Sequence, residues 1–222
     1  MDSTTAIPQP TLANDTEGTC EILLIRHGRS ADVVPGTVEA ADPPLHVEGI
    51  AQADALDARL ADKEIHAVYA SHLSRAVQTA QPLAARRALE VGLFPDLEEI
   101  RLGDWGNGEF RRRAAARDPE WVAWSRTGRW DGIPGCEGDV AFRTRVAAVV
   151  EALAQEHRDE TIAVVAHGGS INAYLAEVLG VTRSLWMTVE NTSVSVVRVG
   201  DHGHTVVTVN DCHHLYDTVL GR

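Results

Sequence analysis

The stretch TIAVVAHGGSINAYLAEVLG, residues 161–180, reads as one apolar strand, a sharp turn and one helix. Positions 162–166 form a short continuous apolar run of the kind buried on both faces of a sheet. Positions 170–179 follow at helical spacing, and Gly180 supplies a stop. A second run, EILLIRHGRS at 21–30, predicts a strand over 22–25 and also ends on a histidine and a glycine. A third predicted strand, 65–70, leads into a helical pattern over 71–87 with Ser71 as its expected N-cap.

Outward from these, the pattern predicts a helix over 45–60, a short strand at 93–94 and a helix over 140–156. A terminal hairpin is expected from 193–199 and 205–209 around GDHGH. Strands alternating with helices imply a three-layer α/β/α fold with a mostly parallel central sheet. Ligands of such sheets bind beyond the carboxyl ends of the strands, where Arg26, His27 and His167 fall. Residues 104–136 break the alternation. They hold Trp105, Trp121, Trp124 and Trp130 and the triplet Arg111 to Arg113, and are expected to form an excursion over the sheet's edge, a candidate lid. Residues 1–18 are polar and Pro-containing and are expected to be a disordered tail, leaving one domain over 19–222.

The net charge is −12, from 20 Lys and Arg against 32 Asp and Glu. That balance argues against nonspecific nucleic-acid binding and against anionic membrane surfaces. A local arginine cluster can still overrule it within a Debye length, about 8 Å at physiological salt. No apolar run is long enough for a transmembrane helix, and the start of the chain lacks the basic and apolar blocks of a signal peptide. Cys20, Cys136 and Cys212 are scattered and odd in number, so reduced thiols and a cytoplasmic location are expected. His202, His204, Cys212, His213 and His214 invite a zinc reading, but their spacing fits no standard finger. No metal and no cofactor is expected, and no GxxxxGK[ST] nucleotide loop occurs. The exposed hairpin edge leaves a dimer open.

Two histidines at the ends of two buried strands can face each other across the sheet crevice. Gly28, Gly168 and Gly169 let a ligand approach backbone amides closely. SHLSRAVQTA at 71–80 brings Arg75 close to the end of the strand predicted over 65–70. Two guanidiniums, two imidazoles and amide donors together describe a pocket for a compact dianion such as phosphate.

Five pieces in order carry a resemblance. They are LIRHG (24–28), PLHVEG (44–49), YASHLSRAVQTA (69–80), LEEIRLGDWGNG (97–108) and VVAHGGSINAYLAEVLG (164–180). The chain resembles the histidine phosphatase superfamily, in the phosphoglycerate mutase-like branch with its broad-specificity phosphatases. The resemblance implies metal-independent hydrolysis of a small phosphomonoester. His27 matches the nucleophile that becomes phosphohistidine, and His167 the second histidine that steadies the equatorial oxygens. Arg26 and Arg75 match the phosphate clamp, with Ser30 and Gly168 as further phosphate contacts, and Glu99 matches the acid–base carboxyl.

Phosphoglycerate mutase activity is the alternative, and a non-catalytic member binding a phosphorylated metabolite or a protein is a second. The short excursion and the close of the chain soon after the hairpin favour hydrolysis over mutase chemistry. Several positions depart from the family pattern. Val33 stands where an asparagine amide would contact phosphate, and Arg29 replaces an acid, which would make the pocket mouth more basic. His46 and His72 replace the usual threonine and proline, and Cys136 sits in an altered loop, IPGCEG. Two alternatives stay open. The arginine triplet is either a solvated helix face or a receptor for a second anionic group, and Ser170 is either a helix cap or a ligand contact.

Overall fold

The computed structural model describes residues 17–216. Six strands form one sheet in the order β3-β2-β4-β1-β5-β6. They are β1 (Cys20–Arg26), β2 (Ala67–Ala70), β3 (Val91–Leu93), β4 (Thr161–Ala166), β5 (Val194–Gly200) and β6 (Gly203–Asp211). Pairs β1–β4, β2–β4 and β2–β3 are parallel, whereas β5 and β6 close one edge as an antiparallel hairpin. The period-2 alternation of side chains divides the core into two layers. Ile22 and Leu24 of β1 pack with Phe142, Val146 and Tyr174 on one face. Leu23 and Ile25 pack with Leu56, Ala80 and Leu83 on the other. The first set lies under α5 (Asp139–Glu156) and α6 (Gly168–Leu179), the second under α1 (Val47–Arg59) and α2 (Ser74–Arg86). This is the three-layer α/β/α arrangement expected from the alternation.

Helix starts depart from expectation where long-range groups act as caps. Ser71 is not the cap of α2. Its hydroxyl accepts from Leu73 N at 3.3 Å, while Asp42, 32 residues upstream, takes Ser74 N at 2.9 Å and the Ser74 hydroxyl at 2.6 Å. His46 caps α1 through Nδ1, which accepts from Glu48 N at 3.2 Å, so an imidazole serves where a threonine hydroxyl commonly would. Gly180 ends α6 in the left-handed region at φ 65°.

The excursion carries α3 (Glu109–Ala116) and α4 (Pro119–Ser125). Trp105, Trp124 and Trp130 are buried. The Trp124 ring meets Trp105 edge-on at 5.6 Å and lies tilted 5.3 Å from Trp130, and Trp130 lies 6.4 Å from Phe142 of α5. Aromatic packing thus fastens the excursion to the core as a wall of the crevice. Residues 1–16 of the expected tail lie outside the described residues. Gly18, by contrast, donates its N–H to Asp159 Oδ1 at 2.5 Å. Among the described residues no helix is long and apolar enough to cross a membrane.

Candidate active site

Parallel pairing of Arg26 with Ala166 sets His27 and His167 side by side, one residue past each strand. Their ring centroids are 5.0 Å apart. His27 Nδ1 donates to Gly28 O at 2.7 Å, and Arg75 Nε donates to His27 Nε2 at 3.2 Å. The proton therefore sits on Nδ1 and the lone pair on Nε2. Burial first, then the Arg75 and Arg26 guanidiniums, push the His27 imidazole well below its ordinary value. Burial, Arg75 and His27 do the same to His167.

Both rings are held neutral among donors. Arg26 Nη1 donates to Val189 O at 2.5 Å, which aims the rest of its guanidinium. Arg26 Nε, Arg75 Nη1 and both nitrogens of His167 are buried without a hydrogen-bond partner. Arg75 Nη1 is also 3.6 Å from Asp42 Oδ1, an ion pair too long for a hydrogen bond. Such a gathering of unsatisfied buried polar atoms is costly in a fold unless an anion completes it.

Glu99 lines the same cleft as Arg26, His27 and Arg75. Its Oε2 accepts from Gly169 N and its Oε1 from Ile100 N, each at 3.0 Å. A Cβ at position 169 would meet Glu99 Oε1 at 2.1 Å, so the glycine there makes room for the carboxyl. Arg26, His27, Arg75 and Glu99 all line one cleft of about 430 Å³, together with Trp105 and Phe110 of the excursion. Gly168 lies beside Arg26, where a Cβ would be 3.5 Å from Arg26 Nε.

Two expected amide donors are already used. Gly28 N donates to Thr79 Oγ1 at 3.0 Å, and Gly169 N to Glu99. Gly28 contributes its carbonyl instead, which sets the His27 tautomer. Ser30 lines the cleft, but its hydroxyl accepts from Arg111 Nη2 at 2.9 Å. Ser170 neither caps α6 nor reaches the cleft. It donates to Glu98 O at 2.9 Å and lies 3.2 Å from Leu97 O, and α6 begins two residues earlier, with His167 at the N-cap.

The arginine triplet divides. Arg112 pairs with Glu109 on a solvated face, whereas Arg113 pairs with Glu109, Asp118 and Glu120 and lies half-buried over the Trp105 ring. Arg111 lines the cleft mouth and, among the described residues, forms no ion pair within 4.0 Å. Arg29 turns away toward Glu48 and His46 and does not make the mouth basic. Val33 faces Gly108, where a Cβ would lie 3.3 Å from Val33 Cγ2. Burial raises the Cys136 thiol, which disfavours the reactive thiolate. His204 bonds Glu151 at 2.7 Å and His214 bonds Thr192 at 3.0 Å, so the C-terminal histidines serve separate partners. Among the described residues no three His, Cys, Asp or Glu side chains gather as a metal site.

Sequence reasoning missed Asp42, Thr79 and Arg145. Each acts across a long stretch of chain, and although Thr79 falls within YASHLSRAVQTA, nothing local marks its role.

The family model for the histidine phosphatase superfamily (branch 1) matches residues 22–212. Phosphoglycerate mutase-like protein 4 of Arabidopsis thaliana is 31% identical over 203 residues, covering 89% of this chain and 88% of its own. The metal-independent phosphoserine phosphatase of the same plant is 31% identical over 202 residues, covering 88% and 83%. The crystal structure of the alpha-ribazole phosphatase from Shigella flexneri is similar with a TM-score of 0.71 at 28% identity, covering 86% of this chain and 96% of that one.

Proposed function

Because the chain belongs to the histidine phosphatase superfamily and is a phosphoric monoester hydrolase, we propose that it cleaves a small phosphomonoester through a phosphohistidine on His27. The observation that carries this is the His27 ring itself: neutral, with Nδ1–H tied to Gly28 O and the Nε2 lone pair turned to Arg75 and the cleft. In the first step Nε2 attacks phosphorus and the ester P–O bond breaks. The leaving oxygen takes the proton carried by Glu99. In the second step water attacks phosphorus while the Glu99 carboxylate takes its proton. The P–N bond then breaks, and its electron pair returns to Nε2 as inorganic phosphate leaves. Arg26, Arg75 and His167 hold the phosphoryl oxygens throughout, supplying the charge that metal ions supply in other phosphoryl transfers.

The substrate is a small phosphorylated metabolite. A cleft of about 430 Å³ exceeds the needs of phosphate alone and lies near the low end for ligand sites, about 300–1,000 Å³. Arg111 at its mouth suits a second anionic group on the far end of that metabolite.

The test is to trap the enzyme during turnover of p-nitrophenyl phosphate. One acid-labile phosphoryl group is expected on the wild type and none on His27→Ala, whose turnover is lost. Unchanged turnover in His27→Ala would remove the assignment. Supplying phosphoglycerate separates the two phosphoryl-transfer outcomes: inorganic phosphate supports hydrolysis, isomerised product a mutase.

A further inference from the structure

Arg145 lies on α5, and its side chain and that of Glu137 are only 11% and 12% exposed. All five of its N–H donors are placed. Nε reaches Glu137 Oε2 at 3.0 Å and Nη2 reaches Glu137 Oε1 at 2.5 Å. The others go to main-chain carbonyls of one short segment: Nη1 to Asp96 O at 2.9 Å and Glu98 O at 3.1 Å, Nη2 to Glu99 O at 3.3 Å. Glu137 grips the same segment just beyond Glu99. Its Oε1 accepts from Arg101 N at 2.9 Å, and its own N–H donates to Arg101 O at 3.1 Å. Ser170 adds a third hold through Glu98 O.

A largely buried ion pair contributes little net stability, because desolvating both charges offsets most of their attraction. What it fixes is position. Three carbonyls and one amide of segment 96–101 are bound to a planar guanidinium and its carboxylate partner, and the segment carries the carboxyl that lines the same cleft as His27. We propose that Arg145 and Glu137 are positioning residues for Glu99, holding its backbone so that its carboxyl meets the leaving oxygen. The proposal rests on Glu99 being the acid–base group. A displacement of about 1 Å in such a group can cost about a hundredfold in rate.

The test reads leaving-group dependence. Glycerol phosphate releases a strongly basic alkoxide and needs the proton, whereas p-nitrophenyl phosphate releases a weakly basic phenolate and hardly needs it. The ratio kcat/KM is compared for both substrates in the wild type, Glu99→Gln, Arg145→Met and the near-isosteric Glu137→Gln. Only kcat/KM is used, because it reports the step in which the leaving group departs. Glu99→Gln is expected to lose about a hundredfold or more on glycerol phosphate and far less on the aryl ester. Arg145→Met and Glu137→Gln are expected to show the same bias, about ten- to a hundredfold. Equal losses on the two substrates in these variants, with the bias kept in Glu99→Gln, would overturn the positioning role alone. Equal losses in Glu99→Gln as well would overturn the acid assignment beneath it. Should Arg145→Met fail to fold, Glu137→Gln decides by the same comparison.

Discussion

Arg75 Nε donates a hydrogen bond at 3.2 Å to His27 Nε2, the same atom whose lone pair must attack phosphorus. The bond holds the imidazole neutral and oriented, but it must be exchanged for one to a phosphoryl oxygen before attack. Arg75 is suited to this exchange because its Nη1 is buried with no hydrogen-bond partner and its Asp42 contact is long. Arg75→Ala is therefore expected to lower kcat/KM for p-nitrophenyl phosphate by about a hundred- to a thousandfold. Arg75→Lys keeps the charge without the planar fork and should recover only part of that loss. A loss of less than tenfold in Arg75→Ala would deny the guanidinium its place on the phosphoryl group.

Burial and neighbouring guanidiniums depress both active-site histidines, and this couples stability to pH. In the unfolded chain these imidazoles titrate near about 6.5. Below that value the unfolded state binds protons that the folded state refuses. The stabilisation is thus fully present above about pH 6.5 and is lost as pH falls toward the folded values. Each histidine contributes a slope approaching about 1.4 kcal/mol per pH unit in that window. His214, pushed down to about 4 by burial and Arg59, acts in the same direction. Urea denaturation between about pH 7.5 and 5.5 should show a falling midpoint, and His167→Asn should flatten the dependence. An unchanged slope in that variant would mean the ring is not held neutral in the fold.

Two glycines separate activity from stability. A Cβ at position 169 would lie 2.1 Å from Glu99 Oε1, the end of a side chain that can move aside. A Cβ at position 49 would lie 2.1 Å from Arg29 O, which is backbone and cannot yield cheaply. Gly169→Ala is expected to keep its melting temperature within a few degrees and lose about tenfold or more in kcat/KM, because the acid is displaced. Gly49→Ala is expected to lose about 1–3 kcal/mol of stability. Paired denaturation and kinetic measurements check both, and reversed outcomes would contradict the packing described.

The strand ends were legible because each apolar run stops abruptly on a charged or polar residue. His27, His167 and Arg26 follow from that break, and Arg75 from the turn after the next strand. Glu99 was reachable only through the ordered motifs, since nothing in its immediate surroundings distinguishes it from Glu98. What escaped were bonds across long stretches of chain. Thr79 takes the Gly28 amide from 51 residues away, and Glu99 takes that of Gly169 from 70. Both amides therefore looked available when their neighbours were read locally. Asp42 as the cap of α2 and Arg145 as the clamp on segment 96–99 are hidden for the same reason. A local pattern records which groups need partners, whereas only the assembled layers decide which partners arrive.

A receptor role for Arg111 would distinguish substrates rather than chemistry. Its neighbours Arg112 and Arg113 are tied to carboxylates, whereas Arg111 is braced on Ser30 Oγ at 2.9 Å and on Ala31 O at 3.1 Å. Neutral braces orient the guanidinium at the cleft mouth, and the carboxylate acting on its charge, Asp32, does so only beyond ion-pair distance. If it receives a second anionic group, Arg111→Met should raise KM about tenfold for a phosphomonoester bearing a carboxylate or second phosphate, since charge-assisted hydrogen bonds to such groups contribute about 1.5–3 kcal/mol. For phenyl phosphate, which has no second charge, KM should hardly change. Comparing phosphoserine, a bisphosphate and phenyl phosphate on the wild type and the variant checks this, the first two reporting which acid is preferred. Equal loss on all three would place Arg111 on the transferred phosphoryl group instead, and no loss on any would return it to the solvated face with Arg112.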